Sequence, residues 1–200
     1  MSTVTLLLAA GAAGCSGGSP EKKDTAPAPA PSSSPTISAS PAPASAPLRV
    51  RVTRVAGRLP ARVRPALEKH VASSIQRYVD GAFLGDYPRS SFPQAFVTFT
   101  RGARAQGVRQ ATLLTNKTFG PTTTSVRTAR GTAYLSVLAP NRVAVGVTAR
   151  VDLVFAVERG DAAAQKVHLQ GRLLMTRSGG TWKIFGYDLA RSQAPVGSSS

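Results

Sequence analysis

From Arg142 to Glu158 the chain alternates with period two. Val143, Val145, Val147, Ala149, Val151, Leu153, Phe155 and Val157 fall on one side, and Arg142, Thr148, Arg150, Asp152 and Glu158 on the other. A helix would scatter those valines around its whole surface, whereas in a pleated strand they share one face. β-Branched side chains also suit a pleated surface better than a helix. The stretch therefore predicts a strand with one buried face, and the segments after about residue 122 read as its partners.

The partners follow the same rule. Val126 to Leu138 predicts a strand with Ala129, Gly131, Ala133, Leu135 and Val137 inward, and Pro140-Asn141 turns it into the central strand. Gly160-Asp161 turns the central strand into Gln165–Arg177, with Val167, Leu169, Gly171, Leu173 and Met175 inward. Ser178-Gly179-Gly180 then makes a tight hairpin into a last strand, Thr181–Arg191. Sequential hairpins of this kind form a four-stranded antiparallel meander.

Helices precede it. Ala61 to Phe83 carries Val63, Leu67, His70, Val71, Ser74, Ile75, Tyr78, Val79 and Ala82 at three- and four-residue spacing, which predicts one apolar stripe with His70 on it. Ser91-Phe92-Pro93-Gln94 has the capping-box pattern and predicts a shorter helix with Phe92, Ala95, Phe96 and Phe99. A third helical piece, Ala103 to Leu114, is interrupted at Gly107. Leu48 to Val55 alternates Val with Arg and reads as a short first strand or an extended lead-in.

Ahead of this domain the composition changes. Residues 16–47 are Pro, Ala and Ser with almost no aromatic or β-branched side chains, a segment that cannot bury enough apolar surface to offset its ordering entropy. Before it, residues 4–14 form an apolar run too short to span a bilayer as a helix but suited to a signal-peptide core. The run ends in Ala13-Gly14-Cys15, with Ala12 where a leucine is usual. This resembles the bacterial lipoprotein signal. The resemblance implies lipidation of Cys15 and anchoring on the outer face of the cytoplasmic membrane. The expected organisation is a signal and lipidation cysteine at 1–15, a disordered tether at 16–47, one domain at 48–191 and a disordered tail at 192–200.

Helices first, then a meander ending in Gly180-Thr181-Trp182-Lys183-Ile184 and Tyr187-Asp188, after Gly171-Arg172-Leu173-Leu174-Met175, is similar to the NTF2-like (cystatin-like α+β cone) superfamily. More narrowly it resembles actinobacterial lipoproteins and Mce-associated proteins of that fold. The fold class this implies is α+β, with N-terminal helices packed on a curved four-stranded sheet. Enzymes of the superfamily place an Asp, His or Tyr on the apolar inner face. Here the predicted inward positions of the three long strands carry none of these. The expected function is thus a non-catalytic binding or accessory domain for an apolar ligand, an anionic envelope component or a partner protein. The alternative is an isomerase- or dehydratase-type enzyme using Asp188, Tyr187 or His70.

With one cysteine and two histidines far apart in sequence, neither an internal disulfide nor a zinc cage is expected, and no nucleotide- or metal-binding motif points to a cofactor. The imbalance of 25 basic to 9 acidic residues, a net +16, favours anionic partners. Arg49, Arg51, Arg54, Arg58, Arg62 and Arg64 cluster around the start of the first helix. They read either as a solvated surface or as a contact for anionic lipid or wall polymer. A protein partner, or a second copy of the chain, could instead dock on the outer face of the sheet. Nucleic acid is disfavoured, because few aromatic side chains are predicted to be exposed for base stacking.

Overall fold

The computed structural model describes residues 44–160 and 162–197. Cys15, the apolar run before it, the Pro/Ala/Ser segment as far as residue 43 and Asp161 lie outside the described residues. The domain is α+β. Strand β1 (Arg49–Gly57) leads through a short 3-10 turn into helix α1 (Arg64–Ala82). A second 3-10 turn, Pro93–Phe96, and the helices α2 (Arg101–Arg109) and α3 (Ala111–Leu114) follow. The chain then forms β2 (Thr123–Ala139), β3 (Gly146–Arg159), β4 (Gln165–Ser178) and β5 (Thr181–Pro195).

The strands form one open sheet in the order β1-β2-β3-β4-β5. The last four are the expected meander. The stretch at 48–55 proves to be a fifth strand, paired with β2 in parallel, Arg49 opposite Thr132 and Gly57 opposite Ala139. A parallel neighbour needs a long crossover, and the helical segments supply it while covering one face of the sheet. Their apolar sides close on Ala133, Leu135, Val151, Leu153, Phe155, Val167, Leu169, Leu173, Met175 and Ile184, all 2% exposed or less. Phe83 of the crossover stacks on Phe155 with ring centroids 4.2 Å apart and planes 7° from parallel. Tyr78, Phe96, Phe99 and Tyr187 continue the aromatic packing edge to face.

Several local expectations are corrected. The central strand begins at Gly146, not Arg142, because Asn141 and Arg142 take left-handed φ of 53° and 65° in the turn after Pro140. Val143 and Val145 consequently leave the buried face and are 54% and 43% exposed. A bulge in β2 between Thr128 and Arg130 reverses the alternation there, so that Thr128 is buried and Ala129 faces out. His70 is exposed rather than on the buried stripe of α1, which runs through Leu67, Val71, Ile75, Tyr78, Val79 and Ala82.

Ser91 makes no capping bond, and the segment it was expected to open is only the 3-10 turn Pro93–Phe96. Tertiary pairing prevails over the local signal: Ile184 N–H donates to Thr98 O at 2.9 Å and Thr100 N–H to Ile184 O at 2.8 Å, holding residues 98–100 extended along the β5 edge. Gly107 lies within α2 rather than breaking it; the helix stops at Gln110. A Cβ on Gly107 would stand 2.8 Å from the Phe96 ring, so this glycine permits a close approach. At the carboxyl end, β5 runs past Arg191 and pairs with β4 as far as Pro195.

Candidate functional site

The direction of the strands decides what can gather at each end of the sheet. In the meander, the β2–β3 and β4–β5 turns fall at one end and the β3–β4 turn at the other. Because β1 runs parallel to β2, the chain leaves β1 at the end with two turns, and α1 begins there. Three segments remote in sequence thus surround a cleft of about 440 Å³, within the range of about 300–1,000 Å³ usual for small-ligand sites.

Its apolar wall consists of Leu59 and Leu67, Val63 at the start of α1, Val143 and Ala144 of the β2–β3 turn, and Trp182 of β5. Trp182 is 5% exposed, and its carbonyl accepts a 2.8 Å hydrogen bond from the buried Ser74 hydroxyl of α1, which pins the helix to the strand at the cleft floor. The polar rim is formed by Arg77 and His70 of α1, Arg142 of the β2–β3 turn and Arg177 at the end of β4. No carboxylate lines the cleft. Among the described residues, none of these three guanidinium groups has a hydrogen-bond or ion-pair partner.

The turn that presents Arg142 carries strain. A non-glycine residue in the left-handed region costs on the order of 1–3 kcal/mol, and such positions persist where surrounding structure over-determines them. Here Val145 N–H donates to Leu138 O at 2.9 Å and Val143 N–H to Pro140 O at 3.1 Å, closing the turn on both sides.

The three residues of the enzymatic alternative are not brought together. Tyr187 and Asp188 are neighbours in a strand and leave it on opposite faces: Tyr187 donates to Gln110 Oε1 at 2.9 Å, whereas Asp188 pairs with Arg172 at 2.6 Å on the outer face. His70 stands at the cleft. Burial pushes the Tyr187 hydroxyl above its ordinary pKa, with the nearby Arg109 opposing the shift. His168, between the inward Val167 and Leu169 of β4, points to the outer face, is half-buried there and meets Asp152 Oδ1 at 2.9 Å, with Arg130 on the same oxygen at 3.1 Å.

Arg191 is the residue that the sequence reading missed. It lies on the inner face of β5, where Nη1 donates to the carbonyls of Thr112 and Thr115 and holds the end of α3 against the sheet. Burial lowers its pKa, with Tyr78 and Tyr87 opposing. Continuing the alternation from Tyr187 through Leu189 would have placed it inward. Among the described residues no group of three or more His, Cys, Asp or Glu side chains could hold a metal, and no helix is long and apolar enough to cross a membrane. Compared with known proteins, the chain matches no family model, no curated protein and no solved structure.

Proposed function

We propose that this chain is a lipoprotein, anchored through Cys15 to the outer face of the cytoplasmic membrane, whose NTF2-like domain binds rather than catalyses. The observation that carries the reading is the cleft itself, an apolar wall with an arginine rim and no carboxylate. General acid–base chemistry needs a proton donor and acceptor within reach of one substrate atom. Tyr187 and Asp188 lie on opposite faces of the sheet, and His70 is the one ionisable group of that set at the cleft.

The anchor has a direct test. Cells grown with a labelled fatty acid are expected to label the wild-type protein and leave Cys15→Ser unlabelled; equal labelling of both would remove the anchor from the proposal.

A second element of the same reading is attraction to the anionic envelope. Arg49, Arg51, Arg54, Arg58, Arg62 and Arg64 are all exposed along β1 and the approach to α1. Each basic residue near an anionic lipid surface contributes about 1 kcal/mol, and exposed charges are screened beyond about 8 Å at 0.15 M salt. The unlipidated Cys15→Ser protein is therefore expected to bind anionic vesicles in low salt and to lose most of that binding by moderate salt. Equal binding to neutral vesicles, or indifference to salt, would favour a protein partner with a buried apolar interface.

A further inference from the structure

We infer that the cleft takes a single-chain amphiphile with an anionic head group, its alkyl chain against Val63, Leu67 and Trp182 and its head among Arg77, Arg142 and Arg177. This rests on the preceding reading of the cleft as a binding site and names the chemistry that fits it. On the outer face of the sheet two arginines meet acids, Arg130 pairing with Asp152 and Arg172 with Asp188, whereas the cleft has no acid to offer. At the cleft three cations from three separate segments face one space with no acid between them. Like charges held together without a counterion work against the compact state, and an anionic head group would neutralise them with charge-assisted hydrogen bonds.

The apolar wall argues for the other half of the ligand. Val63 and Val143 are 37% and 54% exposed beside the rim, apolar surface that an inorganic anion would leave wet. A neutral lipid would cover the valines and leave the arginines unmatched. The volume lies toward the lower end of the small-ligand range, which suits one alkyl chain rather than two.

The protein carries its own probe. Trp182 is the one tryptophan of the chain and lines the cleft, so its emission reports occupancy there. Full-length Cys15→Ser protein, which has no lipid of its own to compete, is titrated below the micelle concentration with dodecyl phosphate, dodecanoate and dodecanol, and separately with inorganic phosphate. Saturable one-to-one shifts are expected with dodecyl phosphate and dodecanoate, at least tenfold weaker binding with dodecanol, and no shift with phosphate alone. Shortening the chain from dodecyl to decyl phosphate is expected to weaken binding roughly fifteenfold, about fourfold per methylene removed from an apolar wall. The double variant Arg142→Gln/Arg177→Gln is expected to bind dodecyl phosphate at least tenfold more weakly and dodecanol unchanged. The unchanged dodecanol binding shows that the cleft is still folded.

Dodecanol binding as tightly as dodecyl phosphate would overturn the anionic assignment while leaving a binding cleft. An unresponsive tryptophan with every one of these probes would overturn both. A shift seen only with anionic vesicles would make this end of the domain a membrane-docking surface and equally overturn the proposal.

Discussion

Phe155→Ala is expected to lower the unfolding free energy by about 3–5 kcal/mol, the usual cost of emptying a buried aromatic site. Phe155 is fully buried at the middle of the sheet, and its ring lies flat on Phe83 from the helical crossover. The substitution thus removes both the burial and a stacked contact that ties crossover to sheet. For a domain of this size the loss corresponds to a drop of roughly 10 °C in the thermal midpoint. Phe155→Leu, which refills most of the volume, should recover the larger part. The neighbouring Val154 makes a useful contrast. It faces outward between Arg130 and His168 and, although also buried at 8% exposure, loses only two carbons and no ring contact on truncation, so Val154→Ala should cost markedly less. A larger loss at 154 than at 155 would mean that β3 turns its other face to the helices, as a one-residue slip would make it do.

Gly171→Val is the second substitution with a large expected effect. Gly171 has a φ of +136°, a region that side-chain-bearing residues rarely adopt. A Cβ there would sit 2.2 Å from the Asp188 carbonyl oxygen of the neighbouring strand and 3.0 Å from Leu189 Cα. Backbone strain and forced displacement each cost about 1–3 kcal/mol, so a combined loss of about 2–6 kcal/mol is expected. Gly171→Ala should lose nearly as much, because the first carbon makes the clash. The Arg172–Asp188 pair beside it is largely exposed on both sides and adds little to either figure. Chemical denaturation measures all of these variants. A Gly171→Ala midpoint equal to wild type would show that β4 and β5 do not approach as closely as described.

The meander was legible in the sequence because each of its strands meets the next through a short turn, and period two states which residues share a face. β4 follows that rule through Val167, Leu169, Leu173 and Met175, all buried, with Gly171 half-buried between them. Where the rule failed, the cause lay in an extra residue within the strand or in the backbone of a turn. The bulge at Thr128 to Arg130 inverts a pattern that the residues themselves continue, and the left-handed Asn141 and Arg142 end an alternation that Val143 and Val145 extend in the sequence. The direction of β1 was not legible, since alternating Val and Arg fit a parallel or an antiparallel neighbour equally well.

The cleft was hidden for a different reason. Each of its members is unremarkable alone: an arginine at the end of a strand, an arginine in a turn, a tryptophan after a Gly-Gly hairpin. They become a site only when two turns of the meander and the start of α1 fall at the same end of the sheet. The meander order implied half of that grouping; the parallel β1 supplied the rest. Arg191 was the nearer miss, one alternation beyond Leu189.

The parallel edge also governs the order in which the domain can assemble. Thr53 of β1 donates its hydroxyl to the Leu135 carbonyl of β2 across 82 residues, while the β4–β5 hairpin is closed by Thr181 and Ser178 three residues apart. Closing the longer loop costs about 2 kcal/mol more than closing a ten-residue one, and that cost precedes any contact it brings. The hairpins can therefore form from local chain alone, whereas β1 must wait for β2. Since α1 starts where β1 ends, the arginine-rimmed cleft is completed only when that most distant pairing is made.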